Sequence, residues 1–433
     1  MLLLRPLPLE NESRRGYLLR LADRNGFGGL KALLRLTEQV VIERELDAVA
    51  DLLGPHANFG RLPGLVPRAD GSRGSLNAGS GLPTRFWNTS HPRFCPACLA
   101  ESNHMRVHWE LVFVVACPRH NLELVEQCSK CHRLIRWNRK NLMECDCGQS
   151  LAEIGSTCST EDESWISARQ AHLLLPQMFE NPRKESELAA LSLSDLSFLL
   201  MLLGGYASGI SPKPLKIAGL YRLAVAQRLV RMALLTLANW PENFHSYLYE
   251  LGKFGEDAHA AAGLMKRFGP FYRSLYNDLQ GEQFGFLHEA FEAFLRIHWP
   301  GTFAKRNRRL SKKLVQDHRV VPLPAAAKEL QISRKTILQL VASGQLTATT
   351  HTTQRGRHIV CIDRHSLEEL QARRTDWITF AEARAMLGLS KKRFRILLEA
   401  GTVTALAGPK IDGAAVWRFS KMQITFLDRK LRE

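Results

Sequence analysis

Apolar and polar positions alternate with a helical period over much of this 433-residue chain, and the breaks in that period divide it. Near the N-terminus, Tyr17, Leu18, Leu21 and Ala22 recur at the three- and four-residue spacing of one helix face. Asn25-Gly26 then supplies a stop. A second helix from about Gly29 would complete a helix-turn-helix-like pair. The stretch Asn58 to Gly81 is rich in Gly, Pro and Ser, lacks any period and reads as a loop or linker. Its glycines make no phosphate cradle, because no Gly-Lys-Ser/Thr follows them. From Trp165 to about Trp299 the helical period dominates, as in LYRLAVAQRLVRMALLTLANWP, with Pro241 as a break before ENFHSYLYEL restarts. This predicts an all-helical middle domain whose leucine-rich faces form its core.

The last 115 residues contain an internal repeat. LQISRKTILQLVASGQLTA from Leu330 aligns without gaps to LGLSKKRFRILLEAGTVTA from Leu387, an offset of 57. In each copy a short helix leads to a turn closed by Ser333 or Ser390, either of which can cap the next helix. Ile337, Leu340 and Val341, and then Phe394, Leu397 and Leu398, give that helix one apolar face, and Gly344 and Gly401 end it. A hairpin follows, turning at Arg355-Gly356 in the first copy and at Asp412-Gly413 in the second. This is the layout of a small winged helix-turn-helix, present twice, and it resembles the excisionase/MerR-type DNA-binding fold. Its recognition helices would present Arg334, Lys335 and Gln339, then Lys391, Lys392, Arg393 and Arg395. Arg355, Arg357 and Lys410 would lie on the wings. The other reading of the repeats is protein docking.

Charge sharpens this picture. Residues 301–433 hold 26 Lys and Arg against 11 Asp and Glu, a net of +15, whereas the first 300 residues hold 33 against 31. So segregated a charge points to a polyanionic partner for the last third, nucleic acid ahead of any other. The run KRNRRLSKK from Lys305 to Lys313 is either a solvated linker or a phosphate contact. The most apolar run, LSFLLMLLGGYASGISP from Leu196, is short, contains a Gly pair and ends near Pro212, so no membrane span is expected. The opening MLLLRPLPLENES puts Arg5 and two prolines where a signal peptide needs its apolar core. A soluble, cytoplasmic protein is expected.

In that compartment thiols stay reduced, so the nine cysteines argue for metal or packing rather than disulfides. Eight strong ligands form four close pairs: Cys95 with Cys98, Cys117 with His120, Cys128 with Cys131, and Cys145 with Cys147. A tetrahedral zinc site takes two such pairs. In sequence order the eight read as two zinc ribbons, so CPRHNLELVEQCSKC is the end of one site and the start of the next. Two structural Zn2+ ions per chain are expected. Spacing leaves open an interleaved arrangement, His132 in place of a cysteine, and cysteines that bind nothing. Cys158 and Cys361 fall outside the pattern and read as packed thiols. HWE at His108 to Glu110 is similar to the His-x-Glu element of zinc deaminases, but its distance from CPRH is wrong and Cys95 and Cys98 would be left unused. With four protein ligands at each site no position stays open for a water. Trp109 and LVFVVA read as the small core of the ribbons.

MLLLRPLPLENESRRGYLLRLADRNGFG, FCPACLAESNH…W…CPRHNLELVEQCSKC and NWPENFHSYL together resemble the TniQ/TnsD family of transposition target-selection proteins, across most of residues 1–300. The N-terminal residues look closest to the branch that partners an RNA-guided Cascade complex. The resemblance implies an adaptor without chemistry of its own. One face would engage a target-recognition element, either DNA directly or Cascade with its guide RNA. Another would recruit an AAA+ regulator of the TnsC/TniB type. It further implies a homodimer, an N-terminal segment that meets the regulator through residues such as Tyr17, Arg20 and Leu21, and the eight Cys/His residues as zinc ligands. The competing reading is a zinc-containing transcription regulator that uses the C-terminal repeats on an operator. The expected fold is therefore mainly α and multidomain. Residues 1–90 form an N-terminal helix-turn-helix-like segment and linker, 91–160 tandem zinc ribbons, and 161–304 a helical domain. Residues 305–373 hold the basic linker and first winged repeat, and 374–433 the second.

Overall fold

The computed structural model describes residues 2–37, 65–67, 73–75, 82–182, 186–210, 214–254, 263–301, 303, 309–352, 358–409, 411 and 416–432. The described residues are mainly helical, with sixteen α-helices and a few short strands. They fall into two compact units: residues 1–247 with 277–286, and residues 248–276 with 287–433. The stretch 161–304, expected as one helical domain, contributes to both. None of the described helices is long and apolar enough to cross a membrane.

The first unit opens with α1 (Arg14–Arg24), capped by the Ser13 side chain, which accepts from the Gly16 amide. Asn25 and Gly26 (φ +72°) stop it, and α2 (Leu30–Leu34) follows Gly29. Tyr17, Leu18, Leu21 and Ala22 pack against Leu30, Leu33 and Leu34, with Leu2 closing the cluster. Gly16 is required here, since a Cβ at this position would sit 2.6 Å from Met105 Cβ. Two short strands, β1 (Leu65–Pro67) and β2 (Arg73–Ser75), pair antiparallel inside the stretch expected to be loop. The rest of 58–81 lies outside the described residues.

Residues 82–160 hold α3 (Pro96–Glu101), two 3-10 turns (Thr84–Phe86 and Val107–Glu110) and otherwise irregular chain joined by isolated bridges such as Phe94 with Val125 and Trp87 with Leu111. Every residue from His104 to Cys117 is buried, so the HWE and LVFVVA segments are the core of this part. The helix α4 (Glu161–Leu174) packs against it, and α5 (Leu193–Ala207) and α6 (Leu223–Leu237) pack on each other beside α4. Ser167 Oγ on α4 accepts from the amides of Val115 and Ala116, and Gln170 donates to the Phe113 carbonyl. These bonds satisfy backbone groups that no sheet ladder reaches. At Gly204 the α5 and α6 backbones meet, because a Cβ there would lie 2.2 Å from the Leu229 carbonyl oxygen. The helix α7 (Glu242–Leu251) starts after Pro241, as the proline predicts.

In the second unit, α8 (Leu264–Asn277) is kinked at Gly269-Pro270, where φ of Gly269 is +55°. It packs with α9 (Gly285–His298) through Phe268 and Tyr272 against Phe291 and Phe294, among others. A short α10 (Lys312–Gln316) leads into the repeats, and the Ser311 amide that precedes it donates to Glu292.

The first repeat is β3 (Val320–Pro322), α11 (Leu323–Glu329), α12 (Arg334–Ala342), β4 (Ala348–Thr352), β5 (His358–Asp363) and α13 (Arg364–Arg374). Its sheet order is β3-β5-β4. The second is β6 (Trp377–Thr379), α14 (Phe380–Met386), α15 (Lys391–Glu399), β7 (Arg418–Ser420) and α16 (Lys421–Arg432). The offset of 57 carries each helix start onto its counterpart, and Val320 pairs with Asp363 as Trp377 pairs with Ser420. The hairpins differ. In the second copy the expected strand partner of β7 shrinks to a bulge, where the amides of Leu406 and Ala407 both donate to the Arg418 carbonyl. Both hairpin tips lie outside the described residues. Each copy has its own core, around Ile337, Leu340, Ile362 and Leu367, and around Phe394, Val403, Phe419 and Ile424.

Candidate metal centres and basic helix faces

The eight ligands gather as two sets of four. Cys95, Cys98, Cys117 and His120 form one and Cys128, Cys131, Cys145 and Cys147 the other, with the donor atoms of each set within 4.8 Å of one another. The pairing is sequential, which removes the interleaved arrangement. In the first set Cys95 is the N-cap of α3 and Cys98 lies one turn on. Cys117 and His120 come from a tight turn in which the Asn121 amide donates to the Cys117 carbonyl. In the second set the His132 amide closes the Cys128 knuckle with φ +56°, and Gly148, φ +83°, closes the one at Cys145. His132 is therefore a turn residue and no ligand.

The spacings fit zinc. A tetrahedron with Zn–S bonds of about 2.3 Å has edges of about 3.8 Å, slightly shorter to a nitrogen. Cys98 Sγ lies 3.5 Å from Cys117 Sγ and 3.2 Å from His120 Nδ1, and Cys95 Sγ lies 3.5 Å from the same nitrogen. In the second set the separations are 3.5 Å for Cys128 to Cys147 and 3.7 Å for Cys131 to Cys145. Sulfurs this close cannot all ionise without a cation among them. Hydrogen bonds from Cys95 and Cys98 drive the Cys117 thiol far down, while the same contact drives Cys98 far up.

One residue escaped the sequence. Glu101, at the end of α3, takes a 2.9 Å hydrogen bond from His120 Nε2 and is itself held by Arg119 at 3.0 Å. This fixes the tautomer that turns Nδ1 toward the sulfurs, the usual outer-shell partner of a metal-bound imidazole. Its place one helical turn beyond Cys98 is the only sequence cue. Glu101→Ala is expected to lower zinc affinity at the first set by roughly tenfold to a hundredfold and to leave the second set unchanged. Competition with a chromophoric chelator, which resolves two binding steps, measures both.

Glu126, also unmarked by any motif, joins the Cys/His-bearing segment to the helices. It accepts from His91 Nε2 at 2.8 Å and from the Leu223 amide at 2.9 Å, the first turn of α6. A carboxylate there meets the positive end of the helix dipole. Hydrogen bonds from His91 and Leu223 hold the Glu126 carboxyl below its usual range against the opposing effect of burial. Elsewhere, burial holds His108 down to about 3 and pushes Glu110 up to about 7, and neither belongs to a metal set. Cys361 is buried as expected, but Cys158 is exposed, its bridge to Leu122 being a backbone one.

On the repeats, α12 exposes Arg334, Lys335 and Gln339, and α15 exposes Lys391, Lys392, Arg393 and Arg395. Ser333 and Ser390 cap the two helices by accepting from the amides of Thr336 and Arg393. Arg355, Arg357 and Lys410 lie outside the described residues, as do Lys305, Arg306 and Arg308 of the basic run. Tyr17, Arg20 and Leu21 are all three buried. Tyr17 donates to the Pro6 carbonyl, and Arg20 pairs with the fully buried Glu12 at 2.6 Å. Their polar atoms are turned to the chain itself and not to an outer face.

Two four-ligand Cys/His sets that could each hold a metal ion, in a buried, strand-poor segment of a chain that also carries helices and a tandem basic repeat, define a modular, mainly helical protein. Residues 3–124 match the TniQ family model, and the chain carries a TniQ domain, which marks it as transposition-associated. The match takes in α1, α2 and the whole first metal set. The second set, the helices from α4 onward and both repeats lie beyond it. No curated protein matches the chain.

Proposed function

We propose that this chain is a non-enzymatic target-selection adaptor of DNA transposition, coupling a target-recognition element to an AAA+ regulator of the TnsC/TniB type. The observation that carries the reading is a TniQ domain in one chain with two repeats whose exposed helix faces are basic. Each repeat acts as a winged helix-turn-helix, with α12 and α15 as recognition helices that reach base edges or phosphates from their N-terminal ends. The two metal sets hold zinc in a structural role, four protein ligands each. The N-terminal segment recruits the regulator, the protein works as a homodimer, and Cascade with its guide RNA is the recognition element in place of, or beside, direct DNA reading.

The full-length protein is expected to bind duplex DNA with an affinity that falls steeply as salt rises, because each neutralised phosphate releases counterions. Lys391→Ala with Arg393→Ala is expected to weaken binding by about 1–3 kcal/mol. Gel shifts over a salt series measure both. Absence of DNA binding at low salt would assign the repeats to protein docking. Pull-downs with the AAA+ regulator and with a CRISPR RNA complex test the coupling. DNA binding without regulator binding would favour a transcription regulator.

A further inference from the structure

The two C-terminal repeats provide an internal comparison that singles out one surface. The helices α13 and α16 close the two copies and correspond residue by residue at the offset of 57. Their inward positions match in kind: Leu367 and Leu370 in the first copy, Ile424 and Leu427 in the second. Their outward positions do not. On α13 the exposed face is an ion-pair ladder, with His365 Nε2 at 3.2 Å and Arg373 at 3.3 Å from the Glu369 carboxylate. The same three positions on α16 are Met422, Phe426 and Lys430. Met422 is 77% exposed and Phe426 63%, with the Lys430 ammonium 5.5 Å from the Phe426 ring.

An outward helix face gains solubility and a few tenths of a kcal/mol from such i,i+4 pairs, so the polar version is the better one for a face that meets only water. A methionine and a phenylalanine one turn apart gain nothing there. They are the side chains that anchor helices in protein interfaces. The surrounding charge selects the occupant. Lys421, Arg429 and Lys430 are exposed on the same helix, and Asp428 is its one acidic residue. Pairing with α16 of a second copy would set this positive charge against itself. Duplex DNA would satisfy the cations but leave Met422 and Phe426 against phosphate and water.

We infer that the outer face of α16 is a docking surface for a partner protein's amphipathic helix, apolar along one stripe and flanked by Asp and Glu. Met422 and Phe426 fill the spaces between the partner's apolar side chains, and Lys421, Arg429 and Lys430 meet its carboxylates. The second repeat thus carries a protein-docking face that the first lacks, independently of what α15 binds.

The test uses the full chain and a fluorescein-labelled helical peptide with leucines on one face and glutamates on the flanks. A scrambled peptide of the same composition, with no continuous apolar face, is the control. The double variant Met422→His with Phe426→Glu installs the residues that the first repeat already tolerates at these positions. It leaves Ile424 and Leu427 in place, and an unchanged melting profile verifies its fold. Saturable binding of the amphipathic peptide, weakened about tenfold or more both by scrambling and by the double variant, supports the inference. Equal binding of the scrambled peptide, or full binding by the variant, overturns it. A drop in duplex affinity in the variant would make this a DNA surface, and a concentration-dependent dimer lost in the variant would make it a contact between copies. Either also overturns the inference.

Discussion

Cys98→Ser is expected to leave the chain insoluble or partly unfolded, whereas Cys158→Ser is expected to be without effect. The Cys98 sulfur is buried among Cys95, Cys117 and His120, and Cys158 is exposed outside both sets. Structural zinc sites contribute on the order of 10 kcal/mol or more to folding, since no preformed site exists in the unfolded chain. That exceeds the net stability of a typical domain. The segment has little regular secondary structure to hold its shape, with one short α-helix, two 3-10 turns and isolated bridges around a buried core, 104–117. Metal analysis is expected to return two zinc ions per folded chain, and a strong chelator to collapse near-UV circular dichroism from the tryptophans of this part. One ion or none per folded, active chain would remove the structural role.

The same physics separates what could be read in the sequence from what could not. Close Cys and His pairs are legible because a knuckle is a local object, and the chain around each one is dictated by the turn. The partition into two sets follows once the chain is compact enough to bring adjacent pairs together. Glu101 and Glu126 were not legible. Each acts through a partner distant in sequence, His120 nineteen residues on and the Leu223 amide 97 residues on, and single carboxylates carry no spacing signal. The repeats were legible down to their helix starts because capping serines, terminal glycines and apolar spacing all agree at one offset. The bulge at Leu406 and Ala407 was not, since it depends on how Arg418 opposes them across the strands. On α1 the helical spacing located the apolar face but not what covers it, because α2 and Leu2 meet it only in the folded chain.

The leucines of α2 and Leu2 cover that face, the N-terminal segment is tied along its edge at Tyr17 and Arg20, and breaking that anchor has the second-largest expected effect. Residues 4–9 are tied to α1 and its flanks by Leu4 with Asn25, the Tyr17 hydroxyl to the Pro6 carbonyl, Arg20 to the Leu7 carbonyl, and the Leu9 amide to Glu12. At the centre the Arg20 guanidinium meets the Glu12 carboxylate through two hydrogen bonds, of 2.6 and 2.7 Å, with neither side chain more than 8% exposed. Removing one partner of such a pair strands a buried charge and costs about 3–5 kcal/mol, while replacing both by apolar groups is far milder. Arg20→Met is therefore expected to strip amide-exchange protection from α1 and α2 and to release the segment over them. Glu12→Leu with Arg20→Met should restore part of the protection. The restoration is partial because Glu12 also holds the Leu9 amide and Arg20 the Leu7 carbonyl. Leu21→Asp, a charge placed in the fully buried centre of the same cluster, should reproduce the single variant without rescue. If the regulator binds this segment as proposed, recruitment fails in Arg20→Met and recovers in the double variant, with DNA binding by the repeats unchanged throughout. Recruitment that survives Arg20→Met while α1 loses its protection would move the regulator's contact elsewhere on the chain. Unchanged protection in Arg20→Met would mean the ion pair does not anchor the segment.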